Sequence, residues 1–383
     1  MSDETPSLDL LDEDVKRAFD QQQTLAPPPF PASYRLSALV AGVERGDEPL
    51  DALPVSELLR MRASGHAGSA ADAFSVPAWV DRDACRRGQR LHTRLFLCFL
   101  TGLTSGLLHG FVIGRFSEVL SLAGYTKDDW TTFYRYRDTS NAIFSWMAYD
   151  LFDERSLARL NVVRVRAMHA LARRTVRKQW DALAARDAQR IGVPLSQYDL
   201  ALVQMAFCAM TLYFVEHQCF VTLEVREKAD YCHLWRFIGH LLGIEHRYNI
   251  AVDCVTAERS FQEFLSIVPL LNKSVRPCCT ALVRGTVDGF GMYTTASKDF
   301  YASLLYGAEA RIPQLTTEWT QLRRPSARYQ QYVVGGLDPK AWWLPAFVWH
   351  FLFALFVRLQ VTVPRFMHLV EVGSSHLPNR FKF

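Results

Sequence analysis

The segment SLARLNVVRVRAMHALARRTVRKQWDALAARDA, Ser156 to Ala188, decides the fold. Ala, Leu, Arg and Lys dominate it, and its apolar positions recur at spacings of three and four. Neither Gly nor Pro interrupts it before Gly192-Val193-Pro194. Such a pattern predicts one helix of roughly thirty residues. The same period runs through TKDDWTTFYRYRDTSNAIFSWMAYDLF (Thr126–Phe152) before it. It continues in LSQYDLALVQMAFCAMTLYFVEH (Leu195–His217) and YCHLWRFIGHLLGIEHRYNI (Tyr231–Ile250) after it. Little room is left for strands, so the expected class is all-α.

Working outward, Asp81 is positioned to cap a helix in VPAWVDRDACRRGQRLHTRLFLCFL. The apolar run Leu95–Gly114 contains glycines, threonines and His109, which fits a buried or broken helix better than a bilayer crossing. The organisation expected is one large helical domain over residues 36–310. Residues 1–35, with the proline-rich QQQTLAPPPFPAS, read as a peripheral segment. Residues 311–383 read as an extension packed on the domain through the apolar helix AWWLPAFVWHFLFALFV, Ala341–Val357. The cations of the following RLQVTVPRFM leave peripheral membrane contact open.

The chain has 43 basic and 39 acidic residues among 383, a formal charge of +4, too small an excess for a nucleic-acid partner. Its acidic start lacks the basic segment and apolar run of a secretory signal. The eight cysteines lack zinc-like spacing and read as reduced core thiols, so the expected location is cytoplasmic.

His169 poses the functional question. Arg166 and Arg173 lie three and four residues from it, crowding one helix face with cations that disfavour a protonated imidazole. A neutral imidazole can lend a lone pair to a metal. One helix earlier, Arg135, Asp138 and Thr139 share a face by the same spacing, as expected of two successive helices facing one cavity. Neither HExxH nor a di-iron ExxH pair is present. A single helix-borne His with arginines for acidic substituents suits haem, but these residues alone favour a plain helical core over it.

The ordered motifs add to this. VPAWVDRDACRRGQRL (Val76–Leu91), SEVLSLAGYTKDDWTTFYRYRDT (Ser117–Thr139) and VRVRAMHALAR (Val163–Arg173) resemble successive blocks of the latex clearing protein (rubber oxygenase) family. GVPLSQYDLA (Gly192–Ala201) and HLWRFIGHLLGI (His233–Ile244) resemble two later ones. That family includes the fungal mycophenolate-pathway oxygenase. The resemblance implies a globin-like all-helical core around haem b, dioxygen as co-substrate and an apolar organic substrate, with oxidative alkene cleavage as the reaction. It places the proximal iron ligand on His169 and haem-positioning roles on Arg135 and Thr139; Arg166 and Arg173, by their spacing about His169, are expected to contact the cofactor. It places a proposed base near Glu118. Rubber-cleaving members carry a distal lysine just before the threonine, where this chain has Asp138, a departure that counts against polyisoprene as substrate. Asp138 is expected to hold Arg135 or a distal water, or to form a salt bridge at the helix surface. A haem-binding sensor, carrier or peroxidase-like protein and a haem-free helical interaction protein remain the other classes.

Overall fold

A computed structural model describes residues 76–111, 114–124, 126, 128–184, 193–219, 221–272 and 277–293, with isolated positions at 299, 301–302, 326, 348, 351–352 and 355. Among the described residues the architecture is all-α, without strands. The elements are α1 (Arg82–Arg94), α2 (Phe96–Gly110), α3 (Gly114–Leu122), α4 (Asp129–Ala148) and α5 (Leu157–Ala184). Then come α6 (Gln197–Met205), a π-helical turn (Ala206–Met210), α7 (Thr211–Gln218), α8 (Val225–Leu241), α9 (Cys254–Asn272) and α10 (Pro277–Tyr293). Two short 3-10 turns, His246–Tyr248 and Ile250–Val252, join α8 to α9. The segment before residue 76, both expected domain boundaries and most of Ala341–Val357 lie outside the described residues. Of that apolar run, Val348, Phe351, Leu352 and Leu355 are described, and all four are helical and exposed.

Local chemistry explains the helix starts. The Asp81 carboxylate accepts the Asp83 and Ala84 amides at 2.8 and 3.0 Å, satisfying donors that the first turn of α1 leaves open. Reciprocal capping boxes open α4 (Asp128 with Thr131) and α6 (Ser196 with Asp199).

The packing is built on pairs: α1 lies on α8, α2 on α7, and α4 against both α5 and α10. The glycines of α2 make its approach possible. A Cβ on Gly102 would stand 2.8 Å from the Thr211 carbonyl oxygen, and one on Gly106 only 2.7 Å from that of Ala206. Those carbonyls flank the π-helical turn, where the ordinary backbone ladder is interrupted. There the Thr211 hydroxyl donates to the Ala206 carbonyl at 3.1 Å. The principal core gathers large buried side chains from these helices, among them Phe99, Tyr198, Tyr231, Trp235 and Phe237. A smaller cluster joins Leu108, Phe111, Leu120 and Tyr136 to Leu282, Val283 and Val287 of α10.

Among the described residues one helix, Gln197–His217, is long and apolar enough to cross a membrane, and 83% of its apolar window is buried inside the protein. Its apolar character is that of a core helix. Within the Leu95–Gly114 run, Phe96–Gly110 forms α2, which is largely buried and bent by 94° from α1. The described cysteines are all free thiols, and six are buried.

Candidate functional site

A cavity of about 540 Å³ is lined by α4 and α5 and bounded by residues of α3, α6 and α8. Arg135, Asp138 and Thr139 of α4 line it together with Arg164 and His169 of α5. Its apolar wall includes Leu107, Ile143, Val165, Leu200, Phe207 and Trp235. Phe207 comes from the π-helical turn and stacks on Trp235 with ring centroids 5.7 Å apart.

His169 is half-buried as a residue, yet its Nδ1 is buried and has no hydrogen-bond partner among the described residues. Burial, reinforced by the charges of Arg135, Arg173 and Arg166, pushes its pKa down to about 3. The imidazole is therefore neutral at physiological pH and keeps a lone pair. Three further buried polar atoms belong to cavity residues and lack partners among the described residues: the Tyr136 hydroxyl, Trp146 Nε1 and Trp235 Nε1. Unmet buried groups of this kind are costly unless something completes them.

The arginines divide by task. Arg135 donates to the Thr139 hydroxyl, which in turn donates to the Arg135 carbonyl at 3.0 Å, so the two side chains fix one another. Arg137 is buried, sits 4.3 Å over the Tyr134 ring and pairs with Asp138 at 2.7 Å. Asp138, half-exposed, thus makes its salt bridge with its immediate neighbour and not with Arg135. Arg164 lines the cavity, is exposed and has no ion pair or hydrogen bond among the described residues.

Arg166 and Arg173 flank His169 but do not line the cavity. Arg166 donates to the Leu241 carbonyl at 3.0 Å, tying α5 to the end of α8. Arg173 donates to the carbonyls of Pro194 and Leu195 at 3.2 and 3.0 Å. It thereby clamps the turn before α6, where Leu195 holds a left-handed φ of 55° and faces the cavity. Glu118 is half-buried on α3, whose Phe116 and Leu120 reach the cavity while Glu118 does not.

Several cavity residues carry no sequence signal of their own. Asn161 donates to the Ser145 hydroxyl at 2.9 Å and joins α5 to α4. Gln204 is fully engaged: its amide donates to the Trp235 carbonyl and to Asn249, and its oxygen accepts the Ile250 amide. Among the described residues no group of three or more His, Cys, Asp or Glu side chains could hold a bare metal ion.

The family model described as "ER-bound oxygenase mpaB/B'/Rubber oxygenase, catalytic domain" matches residues 89–342, well over half of the chain. The chain belongs to this oxygenase family. Neither a curated protein nor a solved structure matches it.

Proposed function

We propose that this protein is a b-type haem-dependent oxygenase that oxidises an apolar organic substrate with dioxygen in the His169 cavity. One observation carries the reading: in a member of an oxygenase family, a neutral imidazole with an unpartnered buried nitrogen lines an apolar cavity beside cations. A lone histidine is too few ligands for a bare ion, but it suffices for iron already held by a macrocycle. The remaining donors fit such a group as well. Arg135 and Arg164 suit its acidic substituents, and the aliphatic and aromatic wall suits its apolar faces.

Haem, when bound, supplies the oxygen chemistry. The chain's own residues hold and orient. His169 would hold the iron, and its depressed pKa keeps protons from competing for the lone pair. Thr139 fixes the Arg135 guanidinium, and the Arg173 clamp on the Leu195 turn keeps the opposite wall in place. The aromatic pair Phe207 and Trp235 excludes water from the substrate side. Oxidative alkene cleavage, the finer reading, needs a base at the cavity. Asp138 has that position and Glu118 does not.

Absorption spectroscopy and iron quantification on the purified full chain test the cofactor. Aerobic turnover of an apolar alkene with isotopically labelled dioxygen tests the reaction. A Soret band and label in the product are expected. No Soret band after reconstitution with haemin overturns the cofactor assignment. A Soret band without label in any product of an alkene screen favours a haem carrier or sensor instead.

A further inference from the structure

A second cleft, about 880 Å³, lies between α1, the C-terminal end of α4 and the first turns of α8. It shares no lining residue with the His169 cavity. Its floor is apolar and buried, formed by Leu91, Phe96, Phe144 and Met147. His92 sits in that floor at 2% exposure, its ring centroid within 6.4 Å of those of Phe96, Phe99 and Phe144, and its Nε2 has no partner among the described residues.

The charges around the cleft are unevenly committed. Asp230 accepts both arms of the Arg87 guanidinium, at 2.7 and 2.8 Å. Glu227 takes Arg94 and the Glu224 amide, and Glu224 closes the reciprocal cap of α8. Arg86 pairs with Asp83. Asp230 and Glu227 are thus ion-paired and Glu224 sits at the α8 cap, while two of the lining cations, Arg90 and Arg226, have no ion pair or hydrogen bond among the described residues. What is left unmet is two positive charges at the mouth and one ring nitrogen in an apolar floor. Acceptors are what the cleft lacks, and an apolar body is what its floor would cover.

We propose that this cleft binds an anionic amphiphile, its acidic head paired with Arg90 and Arg226 and its apolar chain lying on the Phe96, Phe144 and Met147 floor. His92 Nε2 offers the ligand a further hydrogen bond. A carboxylate or phosphate head on an acyl chain satisfies this chemistry, whether it arrives as a free acid or as a phospholipid in a bilayer.

Calorimetric titration of the full-length protein with decanoate, with decanol, and co-sedimentation with vesicles of dilauroylphosphatidylglycerol separate the outcomes. Decanoate or the vesicles bind, decanol does not compete, and the Arg90→Gln/Arg226→Gln double variant weakens binding by about tenfold or more. Both arginines are exposed, so the fold is retained. His92→Phe, which keeps an aromatic ring among its neighbours, weakens it further. Binding by decanoate alone identifies a free acid; binding by vesicles alone identifies a membrane lipid. Decanoate binding that survives the double variant belongs to the His169 cavity and overturns the proposal. So does a lack of binding by both anionic probes, or equal binding of decanol.

Discussion

Replacing His169 by Leu in the haem-free protein distinguishes a ligand held ready from an ordinary core histidine. The side chain is apolar and of similar size, and its neighbours in the wall, Val165, Met168 and Leu200, are apolar as well. The substitution removes a buried Nδ1 that has no partner among the described residues. It unpairs no charge, because the imidazole is neutral and the arginines near it bond to Thr139, Leu241, Pro194 and Leu195. An unsatisfied buried polar atom costs about 1–3 kcal/mol, so the haem-free variant is expected to be more stable by about that amount. Urea denaturation at pH 8, where His169 is neutral folded and unfolded, measures the change without a titration contribution. Haemin titration of the same variant is expected to lose the axial-ligand signature and most of the affinity. The gain in stability and the loss of binding together mark a residue kept for a guest. A variant that is less stable by about 2 kcal/mol and still binds haemin normally refutes the reasoning, because the imidazole would then be serving the fold.

Gly106→Ala would drive a methyl group to 2.7 Å from the Ala206 carbonyl oxygen, and is expected to destabilise by about 1–3 kcal/mol in urea denaturation. A change below about 0.5 kcal/mol would show that α2 can slide off the π-helical turn. Acid should weaken the haem-free fold through His92 and His109, whose burial pushes their pKa values down to about 3 and about 4. Both are neutral when folded, so below their unfolded pKa of 6.5 the unfolded chain takes up protons that the folded chain refuses, and stability falls as pH falls. At pH 5 the loss is about 2 kcal/mol per histidine. A His92→Phe/His109→Phe variant with an unchanged acid profile between pH 6.5 and 5 would contradict this.

Much of the helical layout can be read before any coordinates. The long run without Gly or Pro becomes α5, the Asp81 cap is present, and the glycine-bearing apolar run becomes the buried α2. Those signals are local, set by propensity, capping and period. The convergence of Arg135, Asp138, Thr139 and His169 on one cavity also follows from spacing on two successive helices. What spacing misses is how a side chain is used once neighbours compete for it. Asp138 stands three residues from Arg135, yet Thr139 has taken that guanidinium and the inward-turned Arg137 takes the carboxylate. Arg173 looks like a cavity cation on a helical wheel, but the carbonyls of the turn before α6 claim it. Trp235, Gln204 and Asn161 reach the cavity only through the packing of α5, α6 and α8, which no single stretch encodes. The interruption within Gln197–Gln218 is similarly silent, since its apolar pattern continues unbroken through the π-helical turn.

Leu195 shows where main chain and side chain disagree. A left-handed φ of 55° suits glycine or asparagine, and holding leucine there costs about 1–2 kcal/mol. The strained turn keeps a branched aliphatic group against the cavity, with Arg173 bracing the backbone behind it. Contour is therefore favoured over conformational ease at this point. Replacing Leu195 by glycine would enlarge the chamber and relax the backbone in a single step, which makes position 195 the natural place to retune the girth of accepted molecules.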